Sequence, residues 1–170
     1  MQEQTDLFGI PVPSTNKVFL TFVVIHIAIS LVAAVSGALA MFSDKTSRQH
    51  RMRGATYYWS MVGAFVTILI LSFMRWPHNF HLLTIGVFAF ASAHIGRIQV
   101  KKKLKLWPRL HTMCMGTSYI LLLTGFYVDN GKHLPFWKMF PDWFFYAFPA
   151  FAGLPIIMWS LKKHPLNKQK

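Results

Sequence analysis

Apolar residues along this chain gather into five long runs, near residues 18–42, 55–74, 80–99, 110–128 and 143–161, separated by short polar or basic stretches. At a rise of about 1.5 Å per residue, each run approaches or exceeds the length needed to cross a hydrocarbon layer about 30 Å thick. No connection is long enough for a separate soluble domain. The pattern therefore predicts an all-α fold, a polytopic five-helix transmembrane bundle forming one membrane domain over residues 1–170.

Finer periodicity inside the runs predicts how they pack. Small residues recur four apart in the first run (Ser30, Ala34, Ala38; Ala33, Gly37) and in the third (Ala89, Ala93; Ser92, Gly96). Such faces permit close helix contact where no hydrophobic driving force exists, and they predict that the first and third helices are central. Pro149, Gly153 and Pro155 predict a kink in the fifth helix. The connection DNGKHLPFWKMFPDW opens on Asn130-Gly131 and holds two prolines, predicting an aromatic-rich cap folded along the surface.

Composition agrees with a membrane location: 54% of the 170 residues are hydrophobic, 14% are charged, and mean hydropathy is +0.37. The formal charge of +13 is unevenly placed. Fourteen of the eighteen Lys and Arg fall in alternate connections: Lys45, Arg48, Arg51, Arg53; then Arg97, Lys101, Lys102, Lys103, Lys105, Arg109; then Lys162, Lys163, Lys168, Lys170. By the positive-inside rule the N-terminus lies outside and the C-terminus in the cytoplasm. The run KKKLK at 101–105 reads as an anchor to anionic lipid headgroups on that face; it lacks the interleaved aromatics of a nucleic-acid site. Trp76, Trp107, Trp137, Trp143, Trp159, Tyr57, Tyr58 and Tyr127 fall near run ends and read as an interfacial belt. The N-terminal stretch MQEQTDLFGIPVPSTNK lacks a basic signal-peptide start, so the first run is expected to stay in the protein.

Chemistry is narrowed mostly by what is missing. One cysteine, Cys114, allows neither an intramolecular disulfide nor a thiolate zinc site. All five acids lie outside the apolar runs, against a carboxylate relay through the membrane. No phosphate loop, paired catalytic carboxylates or nucleophile elbow occurs. Eight histidines remain; His164 in the tail reads as solvated, and the other seven form two layers. His26, about 12 Å into the first run by helix rise, groups with His78, His81 and His133 on the outer side. His50, His94 and His111 lie on the inner side.

One histidine layer per face is what a transmembrane electron carrier with b-type haem needs, because bis-histidine ligation takes two neutral imidazoles from different helices. Arg51, Arg97 and Tyr57 are placed to serve the inner layer, and Met113, Cys114 and Met115 are candidate sulfur donors. His81 and His94 are thirteen residues apart, which puts them on nearly opposite faces of an ideal helix and favours the inner layer alone.

Two stretches also resemble a known family. The run IHIAISLVAAVSGALAMFSDKTSRQHRMRGATYYWSM carries His26, His50, Arg51, Gly54 and Tyr57 in an H-R-x-x-G-x-x-Y frame. It resembles the bacterial predicted membrane proteins of the domain of unknown function 2306 family. LHTMCMGTSYILLLTGFYVDNGKHLPFWKMFP is similar to the later part of one branch of that family through His111, Gly116, Ser118, Tyr119, Asp129 and Asn130. The resemblance implies an integral protein of the bacterial cytoplasmic (inner) membrane with an uncharacterised role, and a shared role for His26, His50 and His111. His94 is not among the motif positions, so it favours pairing His50 with His111.

Two functions follow as expectations. The first is a haem b protein in which His50 and His111, with His94, hold the metal near the cytoplasmic face, and His26 with His81 marks a second site. The second is a non-enzymatic membrane module, an accessory subunit or small transporter, whose histidines make interhelical or lipid contacts and whose partner is a membrane protein or a second copy of the chain. A bound metal other than haem needs three or four converging ligands, which sequence does not show.

Overall fold

The computed structural model describes residues 5–7, 10–12, 16–103 and 106–163. Five long helices dominate: α1 (Lys17–Met41), α2 (Arg48–Met74), α3 (Phe80–Lys102), α4 (Trp107–Asn130) and α5 (Asp142–Lys163). Two short antiparallel strands, β1 (Thr5–Leu7) and β2 (Ile10–Val12), precede them and are, among the described residues, the one departure from the all-α expectation.

Helix boundaries follow capping chemistry. The Asn16 side chain accepts the Val18 amide at 2.9 Å and opens α1. Ser47 accepts the His50 amide at 3.1 Å and starts α2 seven residues ahead of the apolar run, so His50 is a first-turn residue instead of a loop residue. The apolar pattern marks the hydrocarbon crossing; the helix continues past it through Arg48, Arg51 and Arg53. α3 ends at Lys103, whose φ of 46° is left-handed. Leu104 and Lys105 of the basic run lie outside the described residues, as do His164, Lys168 and Lys170.

α1, α2, α3 and α5 are each long and apolar enough to cross a membrane. α4 has the length, but Gly116, Ser118, Tyr119, Thr124 and Gly125 dilute its hydropathy. Gly116, Ser118 and Thr124 are buried; the Ser118 hydroxyl pairs with Tyr57 of α2, and the Thr124 hydroxyl donates to the Ile120 carbonyl of its own helix. The chain is a multi-pass membrane protein.

α1 packs on α2, α2 on α3, α3 on α4 and α4 on α1, while α5 lies along α4. This closes a four-helix ring in which α1 faces α3 across one diagonal and α2 faces α4 across the other. Of the small residues marked in the sequence, Ala33 and Gly37 in α1 and Ala89, Ala93 and Gly96 in α3 are buried, while Ser30, Ala34, Ala38 and Ser92 are half-buried; Ser36 and Ala40 join the buried face of α1. The expectation that α1 and α3 are central is corrected: α4 packs along α1, α3 and α5, is hydrogen-bonded to α2 through Ser118, and is the hub. Close contact shows that a face packs, not how many helices surround it.

α4 and α5 meet through reciprocal glycines. A Cβ on Gly116 would lie 2.5 Å from Ile157, and one on Gly153 would lie 2.4 Å from Ile120. α5 runs as one element through Pro149 and Pro155. The connection after α4 forms two short 3-10 turns, Gly131–His133 and Trp137–Met139. Trp137 packs on Tyr127 and Phe148 at ring distances of 5.1 and 4.9 Å, giving the expected aromatic cap. Lys132 pairs with Asp142 at 3.1 Å on its surface.

Candidate functional site at the basic end of the bundle

A cavity of about 530 Å³ opens where α1, α2, α3, α4 and α5 converge at the basic end. It is built from the end of α1 inward. The last carbonyls of a helix lack intrahelical donors, and here cations and an imidazole supply them. Lys45 Nζ donates to the Met41 and Ala40 carbonyls, the latter at 3.5 Å. Arg53 donates to the Leu39 carbonyl at 3.4 Å, and His50 Nδ1 lies 2.9 Å from the Ala40 carbonyl.

His111, in the first turns of α4, makes the corresponding contact to α3, its Nδ1 lying 2.9 Å from the Gly96 carbonyl. A carbonyl only accepts, so Nδ1 carries the proton in both rings and Nε2 is the basic nitrogen in both. The rings come from diagonally opposed helices and sit 6.4 Å apart between centroids, at 83°. A hydrogen-bonded Nδ1 that presents Nε2 is the usual orientation of a metal-ligating histidine.

The lining has a basic side and an apolar side. Lys45, Arg51, Arg97 and Lys101 line it together with His50 and His111, and among the described residues no acid does. Burial pushes the Lys45 ammonium below its usual pKa range, an effect that the neighbouring Asp44 carboxylate opposes. The Thr46 amide and hydroxyl, 3.0 and 2.9 Å away, hold Asp44 below the ordinary carboxylate range. On the apolar side are Tyr57, Met115, Tyr119 and Ile157.

Tyr57 and Tyr58 are buried at 2% and 8% exposure, which corrects their reading as belt residues. Tyr57 and Ser118 share a hydrogen bond of 2.7 Å across the α2–α4 diagonal, and Tyr119 donates to the Ala34 carbonyl at 3.1 Å. Gly37 lies beside both rings: a Cβ there would fall 2.7 Å from Tyr119 and 2.9 Å from Tyr57.

Of the residues singled out in the sequence, the structure brings His50, His111, Arg51, Arg97, Tyr57 and Met115 to this cavity. His94 is not there. It points away from the cavity between α2 and α3, with Nδ1 2.9 Å from the Tyr58 hydroxyl. On α3 the buried face is taken by Ala93 and Gly96, and His94 beside them is exposed. His26 and His81 are not brought together either: His26 contacts Thr67 at 2.7 Å and Ser30 at 3.4 Å, and His81 opens α3 near Asp129. Met113 is exposed, and Cys114 packs against Gly96. Sequence reasoning missed Lys45 and Ile157, which carry no local motif and reach the cavity only through packing. Among the described residues, no group of three or more His, Cys, Asp or Glu is placed to hold a metal ion.

Residues 23–158 match the domain of unknown function 2306 family, described as predicted membrane proteins. The chain belongs to this family. No curated protein and no solved structure matches it. The cavity residues from Gly37 to Ile157 fall within the matched span.

Proposed function

We propose that this member of the family holds one b-type haem between His50 and His111 and carries electrons at the cytoplasmic face of the bacterial inner membrane, with its N-terminus outside. The carrying observation is the imidazole pair, with both Nδ1 atoms committed to backbone carbonyls and the rings 6.4 Å apart. One metal joined to two opposed imidazole nitrogens at about 2.0 Å each sets ring centroids about 6 Å apart. Two imidazoles are too few for a bare tetrahedral ion, whereas a porphyrin brings four donors of its own. Bound there, haem iron would supply one-electron chemistry. Arg51, Arg97, Lys45 and Lys101 offer cations to its propionates, and Tyr57, Met115 and Ile157 offer an apolar wall.

The basic lining also favours a second reading, a non-enzymatic module that seats an anionic lipid headgroup here, with the histidines as interhelical contacts. Expression with haem supplied separates the two. The haem reading expects a Soret band and a b-type pyridine haemochrome, both lost in His50→Ala and His111→Ala at unchanged protein level. Purified wild-type protein without a Soret band overturns it. Loss of protein level in the variants, with no cofactor spectrum in the wild type, supports the lipid reading.

A further inference from the structure

His94 is an ionisable side chain on the outer surface of a membrane helix, exposed in a field of exposed apolar residues that includes Phe88, Ile95 and Trp59. It lies eight residues before the end of α3, about 12 Å along the helix axis. Imidazole at such a place is costly in lipid and needs a reason. Its surroundings are organised. The Tyr58 hydroxyl is 2.9 Å from His94 Nδ1, and the rings stack at 6.1 Å. Phe90 flanks His94 at 5.8 Å and itself stacks on Phe65 at 4.8 Å. The Arg97 guanidinium lies 4.0 Å over Tyr58 and 5.4 Å over Trp59.

With the Tyr58 phenol donating to Nδ1, Nε2 of the exposed His94 carries the proton and is a donor. Arg97 adds guanidinium donors, and among the described residues no acid pairs with it. The cluster thus offers donors and a cation beside aromatic faces. It suits neutral or negative carbonyl oxygens on a flat ring and rejects cations. Access is from the bilayer.

We propose that His94, Tyr58, Arg97 and Trp59 form a docking site for the head of a membrane-dissolved quinone. A lipid ester shares the carbonyl chemistry, but it has no flat ring to lie against an aromatic face. The site deepens the electron-carrier reading and rests on it for its purpose. Tyr58 and Arg97 also line the cavity, so the proposed docking site and the His50–His111 site share these two residues.

The test is photolabelling of the protein in phosphatidylcholine vesicles with a short-tailed azido-benzoquinone, the sites being mapped by mass spectrometry and the haem spectrum recorded on the same sample. Saturable label is expected on α2 and α3 near Trp59 and His94, competed by unlabelled quinone. It should fall at least tenfold in His94→Phe, fall in Trp59→Ala, and persist in His94→Gln, which keeps an N–H donor. Label that is uncompeted, spread evenly over the helices, displaced by phospholipid alone, or undiminished in a folded His94→Phe protein overturns the proposal. The two readings fail separately: specific labelling without a Soret band removes the haem and keeps the quinone site, while a Soret band without specific labelling does the reverse.

Discussion

The contact between Tyr57 and Ser118 is the buried polar link across the α2–α4 diagonal, and its energetics are asymmetric. Tyr57→Phe strands the Ser118 hydroxyl and is expected to cost about 1–3 kcal/mol, whereas Tyr57→Phe with Ser118→Ala removes both partners and should recover much of that. Thermal unfolding in detergent measures the cycle. Lys45 makes a second residue-scale prediction. Its folded pKa is lowered, so between the folded and unfolded values the unfolded chain binds more protons and stability rises with pH. The neutral amine still donates to the α1 carbonyls. Lys45→Met should flatten the alkaline rise in melting temperature. Single residues were partly legible in the sequence: His50 and His111 stand in recurring frames, but their tautomers depend on carbonyls of Ala40 and Gly96 that no local pattern marks.

Among the elements, α4 is the one whose sequence describes it least well. Its buried Gly116 packs against α5 and its buried hydroxyls bond to α2 or to its own backbone, and a run read by apolarity is underrated when its polar atoms are satisfied inside a bundle. The α4–α5 seam depends on side-chain fit. Gly116→Ala places a methyl against Ile157 and should cost about 1–3 kcal/mol, and Ile157→Ala in the same chain should relieve part of it. Urea titration or limited proteolysis of α5 reads the effect. Tyr57 and Tyr58 show the same limit from the other direction. Their position near a run end matches an interfacial belt, but α2 starts at Arg48, capped by Ser47, and carries them inward to line the cavity.

For the whole molecule, the charge asymmetry and the helix count lead to one orientation. Reporter fusions after residue 170 should be active in the cytoplasm, and fusions in the 131–141 connection should be active outside; the opposite pattern would invert the proposed sidedness. The sequence by itself determined the membrane class, the five helices, the basic end and the candidacy of His50 with His111. Those depend on transfer free energy, helix rise and charge placement, which are properties of local stretches. Only tertiary structure decided that α2 and α4 are diagonal, that His50 and His111 face each other while His94 turns toward lipid, and that Lys45 and Ile157 share their cavity. Such pairings depend on helix rotation and on which small residue meets which large one, and both are settled by contacts between residues far apart in the chain.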